Sequence, residues 1–203
     1  MNLKKSFLAG IAAVAISASS HASDFTFESI ANGYYTSVTE TNGGLTVTVT
    51  SSGGWILVTN PSTPLLGSHS VVGTQSNPAN ANEFAPLTFA FSSTVSAATF
   101  LFGDGGGDDD SPVYIHAFNS SDVLISTLTD TYPEGYGAGK SLTWTGAGAS
   151  YFIVETTPGF NANSIFWEVK DVVSSVPDTA STLGLTVLAL AGLAVARRRL
   201  ARI

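Results

Sequence analysis

The chain has 203 residues, eight Lys plus Arg, fifteen Asp plus Glu, a formal charge of −7 and no cysteine. That length suits one domain with addressing segments rather than a multidomain enzyme. Lack of cysteine excludes a disulfide framework, a thiolate metal site and a cysteine nucleophile. The acidic balance argues against a nucleic-acid partner, because phosphates are bound through Lys and Arg. Charge is also uneven along the chain. Six of the eight basic residues lie at the two ends, while residues 23–176 carry two lysines against fourteen acids, a net of −12.

Residues 1–22 read as a secretory signal peptide. Lys4 and Lys5 supply the positive region, and residues 7–16 supply ten apolar positions. Ser20 and Ala22 place small residues at −3 and −1, so cleavage is expected between Ala22 and Ser23. The apolar stretch predicts a signal helix too short to span a bilayer.

Residues 23–175 are expected to form an all-β body, a single β-sandwich of jelly-roll type. Apolar and polar residues alternate with period two at Phe25/Phe27, Leu45/Val47/Val49, Leu87/Phe89/Phe91 and Val113/Ile115/Ala117, the spacing of half-buried strands. Further strands are predicted at 55–58, 99–102, 123–125, 142–144, 151–154 and 165–169. Asn42-Gly43-Gly44, Gly53-Gly54 and Pro158-Gly159 punctuate them as turns. Trp55 and Trp144 read as core residues. Residues 60–83 form the longest irregular stretch, and 172–175 read as a short linker.

Three places in the body could carry chemistry. Residues 103–112 hold Asp104, Asp108, Asp109 and Asp110 among glycines. Hard carboxylate oxygens in a flexible loop suit Ca2+, although the spacing fits neither an EF-hand nor a repeat, and a solvated acidic loop is the plainer reading. Tyr132 and Tyr136 sit in a Gly/Pro loop with Asp130 and Glu134, where rings could stack on sugars and carboxylates accept from hydroxyls. Capping the core is an equal reading for both rings. His69 stands beside Ser68, but neighbours in an extended chain point to opposite faces, so no nucleophile–base pair is expected and His69 reads as a solvated loop residue. His116 reads as a partly exposed sheet residue. No G-x-S-x-G motif occurs, and the chain is expected not to be an enzyme.

The tail, residues 176–203, has three parts. Val176-Pro177-Asp178-Thr179 opens a short motif that runs to Thr182. An apolar run at about 180–196 is just long enough to cross a membrane as a helix. Arg197, Arg198, Arg199 and Arg202 follow, a basic stop that holds this end in the cytoplasm. This plan resembles the C-terminal sorting signal of PEP-CTERM proteins, the exosortase substrates of Gram-negative bacteria. Val176 and Pro177 match the common motif and Asp178 keeps its acid, while Thr179 replaces the second proline; the Val-Pro-Asp start and Ser181-Thr182 are similar to the VPDSG-type variant. The resemblance implies export from a Gram-negative cell and anchoring by the C-terminal transmembrane helix. It also implies processing near the motif by an exosortase-like membrane transpeptidase, then a place at the cell surface or in extracellular polysaccharide. The run from residue 103 to 124 is loosely similar to ectodomains of this sorting class. The expected role is structural, with calcium as a candidate ion; the alternative is a carbohydrate-binding module.

Overall fold

A computed structural model describes residues 22–61, 65–78, 85–104, 112–131, 139–156 and 165–175. All lie within one compact unit, Ser20–Val176. Among the described residues there are eleven strands and no helix: β1 (Ala22–Phe25), β2 (Gly33–Tyr35), β3 (Ser37–Asn42), β4 (Leu45–Ser51), β5 (Trp55–Thr59), β6 (Ser70–Thr74), β7 (Leu87–Asp104), β8 (Pro112–Phe118), β9 (Leu124–Thr131), β10 (Lys140–Thr156) and β11 (Ile165–Ser174). The body is therefore all-β, and its strand pairs are antiparallel. The expected signal and membrane helices lie outside the described residues.

Local chemistry explains the strands. In β4 the side chains of Leu45, Val47 and Val49 are buried while the intervening threonines face outward. Branched side chains pack well on such a pleated, half-buried surface. The β3–β4 hairpin closes through Gly43 (φ 58°) and Gly44 (φ 82°). Both lie in the left-handed region that a two-residue type I′ loop requires and that glycine adopts without a steric penalty.

Two long strands organise the rest. The first half of β7 pairs with β4 on one side and with residues 151–154 of β10 on the other. Its second half pairs with β11 and with the first half of β10. Phe89 and Phe100 both belong to β7, and a straight strand would hold them about 36 Å apart. Their ring centroids are 5.7 Å apart. Likewise Trp144 and Phe152 of β10 have centroids 5.1 Å apart, against about 26 Å in a straight strand. Both strands therefore fold over. In β10 the bend coincides with shifts of register between Thr145 and Tyr151 and with Gly148 at φ 78°, the use to which sheets put bulges and glycine.

The two halves of each long strand face one another across an aromatic core. Phe25, Phe27, Phe89, Phe100, Phe102 and Phe152 are fully buried. Phe100 and Phe152 lie 5.0 Å apart, and Phe102 meets Trp167 at 5.3 Å. One half of the sheet runs β3-β4-β7-β10-β8-β9, the other β2-β5-β6-β11-β7-β10, with β1 on β11.

Three expectations change. Residues 60–83 are not all irregular, because β6 lies there; all five of its residues are buried, so the segment shows no alternation to read. Val172–Ser174 is not linker but the end of β11, because Val172 packs fully buried in the core and Ser23 of β1 pairs with it. Trp144 is core, as expected, and its Nε1 donates to Ser126 Oγ at 2.8 Å. Trp55, at the start of β5, is only half-buried.

Candidate functional site

Of the residues singled out for function, Ala22 and Ser23 begin β1. Ala22 is exposed, whereas Ser23 is buried and its hydroxyl donates to the Asn42 carbonyl at 3.1 Å. Asp104 closes β7, its backbone paired with Ile165. Asp108, Asp109, Asp110, Tyr132, Tyr136, Val176, Pro177, Asp178, Thr179, Arg197, Arg198 and Arg199 lie outside the described residues. The base of the Tyr132/Tyr136 loop is pinned: Lys140 Nζ donates to Asp130 Oδ1 at 3.0 Å and to the Thr131 carbonyl. Lys140 holds the Asp130 carboxyl below its ordinary range. Among the described residues no group of three or more His, Asp or Glu is arranged to hold a metal ion.

The structure brings together residues the sequence scatters. Glu28 follows β1, and its carboxylate accepts from the Ser68 backbone at 2.5 Å, from the Ser68 hydroxyl and from His69 Nδ1 at 3.0 Å. The hydrogen bonds from Ser68 and His69 pull its pKa from 4.5 down to about 2. Glu168 of β11 is fully buried; its Oε1 accepts from Gly67 N at 2.5 Å and Ser70 Oγ at 3.0 Å. Its Oε2 has no hydrogen bond, with Lys170 Nζ 3.5 Å away as ion-pair partner. Burial pushes its pKa up. Burial likewise raises Glu40, whose Oε2 accepts from Phe27 N at 3.0 Å. A Cβ on Gly67 would collide with Glu28 Oε1 and lie 3.3 Å from Glu168 Oε1.

These contacts form a clasp that ties the loop at 65–69 to the turn after β1 and to β11. His69 is thus a partly exposed loop residue that Glu28 anchors. Ser68 Oγ lies 3.2 Å from His69 Nδ1, a closeness not expected from extended backbone, because the two precede β6. That same nitrogen faces Glu28, and Ser68 bonds Glu28 directly. No proton path therefore runs from Ser68 through the imidazole to the acid, as a hydrolytic triad needs.

A second feature lies on the solvent side of the half-sheet β3-β4-β7-β10-β8-β9. Strand register sets Thr39, Thr48, Ala90, Tyr151, Phe118 and Leu124 in one row across it. A neighbouring row carries Thr50, Thr88, Ile153, His116 and Thr127. Phe118 and Tyr151 are parallel, 6° between planes and 4.9 Å between centroids; Tyr114 and His116 are parallel within 5° at 5.9 Å. His116 is held from both sides, by Thr127 Oγ1 at 2.9 Å and Glu155 Oε1 at 3.1 Å. The alternation of β8 foretells that Tyr114, His116 and Phe118 share a face, but only register shows that Tyr151 and Glu155 join them.

Comparison with known proteins identifies the tail. The chain ends in a protein-sorting signal. The family model described as the VPDSG-CTERM motif matches residues 175–200, so the chain carries a PEP-CTERM-like sorting tail. That tail marks the protein as exported and surface-associated, and is consistent with processing by an exosortase-like enzyme. No curated protein matches the chain. Among solved structures, the chain is similar to an arabinose-bound α-L-arabinofuranosidase (9% identity, TM-score 0.42), covering 77% of this chain and 27% of that one. It is similar to a cleaved adhesin domain of Lys-gingipain from Porphyromonas gingivalis (13%, TM-score 0.40; 74% and 95% covered). It is also similar to a mutant family 29 carbohydrate-binding module (11%, TM-score 0.31; 71% and 80% covered).

Proposed function

We propose that the protein is exported, held in the membrane by its tail, and cut near Val176–Thr179 by an exosortase-like transpeptidase of a Gram-negative cell. Its body then remains at the cell surface or in extracellular polysaccharide as a non-enzymatic β-sandwich of jelly-roll type. The observation that carries this reading is the sorting motif matched at residues 175–200. The pairing of Ala22 with Val173 supports it, since the chain enters and leaves the body at one end. The acidic residues 104–110 take calcium in this reading and bridge the body to its matrix.

Mass spectrometry of the protein recovered from envelope and medium tests it. The expected form starts at Ser23 and ends between Pro177 and Thr182. A form in the membrane that still carries Arg202 refutes processing. A second reading, carbohydrate binding, is favoured by the half-exposed rings Tyr114, Phe118 and Tyr151 on the solvent side of the sheet.

A further inference from the structure

We propose that the solvent face centred on Ala90 binds a neutral glycan chain. The inference rests on the carbohydrate-binding reading and gives it a site distinct from the Tyr132/Tyr136 loop.

The face has the shape for a chain. Ala90 is exposed and small, and its row neighbours are Thr48 on one side and Tyr151 on the other. Strands lie about 4.8 Å apart, so a trough about 10 Å wide separates Thr48 from Tyr151. Thr88 continues the floor along β7. One wall is aromatic, made by Tyr151 and its parallel partner Phe118. The opposite wall is a grid of hydroxyls, with Thr39 and Thr48 3.3 Å apart and Thr41 and Thr46 2.8 Å apart.

The chemistry selects among occupants. A pyranose has an apolar C–H face that packs on rings and an equatorial rim of hydroxyls that pairs with hydroxyls. The face offers one of each on facing walls. It carries no Lys or Arg. Glu155 and His116, 3.1 Å apart, are internally matched, and the exposed Asp122, which accepts from the Tyr151 hydroxyl at 3.2 Å, leaves the aromatic wall with negative charge only. An acidic polysaccharide or nucleic acid needs basic partners, and a protein partner needs an apolar centre rather than a hydroxyl grid. A neutral, polyhydroxylated chain is the occupant that matches both walls, with the exposed Leu124 beyond Phe118 extending the apolar wall.

The test uses the full chain in detergent micelles on an array of neutral and acidic polysaccharides, with each variant's melting curve recorded. Retention by neutral glycans is expected. Ala90→Arg fills the trough from an exposed position without touching the core, and is expected to weaken retention at least tenfold. Tyr151→Ala is expected to do the same, and Tyr132→Ala to leave it unchanged. Retention lost in Tyr132→Ala but kept in Ala90→Arg overturns this site while leaving carbohydrate binding standing. Retention of no neutral glycan, or of acidic glycans only, overturns the proposal outright. So does an Ala90→Arg variant that instead splits a dimer in sedimentation, since the face would then belong to a second copy of the chain.

Discussion

Two glutamates in the clasp titrate in opposite senses, and the difference is measurable. Glu28 is held to about 2 by the hydrogen bonds of Ser68 and His69. Its contribution to stability is therefore present above its ordinary value of 4.5 and is lost as pH falls toward about 2. Glu28→Gln is expected to lower the melting temperature at neutral pH and to remove that part of the acid decline. Glu168 is raised, first by burial. The folded state then binds the proton more tightly than the unfolded one, so stability is fully present below 4.5 and falls as pH rises through the folded pKa. Glu168→Gln keeps an acceptor for Gly67 and Ser70, and is expected to flatten the fall above 4.5, with Glu40 supplying the remainder. Melting curves of the two variants across pH check both signs; parallel profiles for wild type and Glu168→Gln would refute the second. None of this was legible from residues 28, 68 and 168 alone. They are distant in sequence, and a glutamate in a strand that otherwise reads as apolar gives no hint of what it faces.

At the level of elements, the bent strands matter most. Trp144 fills the inner side of the β10 bend against Phe152. Trp144→Ala removes that ring and leaves the Ser126 hydroxyl without its donor, so a loss of about 3–5 kcal/mol is expected in urea unfolding. Gly148→Val places a branched side chain at φ 78° and is expected to cost about 1–2 kcal/mol; a loss of only a few tenths would mean that the bend does not depend on this residue. Alternation made β4 and β8 readable, since each buries one face only. It failed for β6, buried on both faces. It also divided β7 and β10 into separate short strands, because a bend interrupts the period without ending the hydrogen bonding.

For the described body as a whole, the first and last strands, β1 and β11, are paired. Ser23 is buried and pairs with Val172, so the bond after Ala22 lies within a strand pairing once the body has folded. At the other end, the Ser175 backbone N–H, at the first residue of the matched sorting motif, donates to the Thr94 carbonyl at 2.9 Å. Signal removal is thus expected to precede docking of β11 on β1. Refolded full-length precursor should resist a purified signal peptidase, while precursor held in urea that the peptidase tolerates should be cut after Ala22. Equal cutting of both would contradict the order.

The sequence by itself determined the sorting tail of this protein and its all-β character. The sorting motif is read as a linear string, and alternation records which side of a strand is buried. Only the tertiary structure decided where β7 and β10 fold over, that Glu28 and Glu168 grip one loop, and that Tyr151 of β10 stands beside Phe118 of β8. Each of these depends on strand register between segments far apart in the chain. Register is set by the packing of the whole core, and no local pattern of residues encodes it.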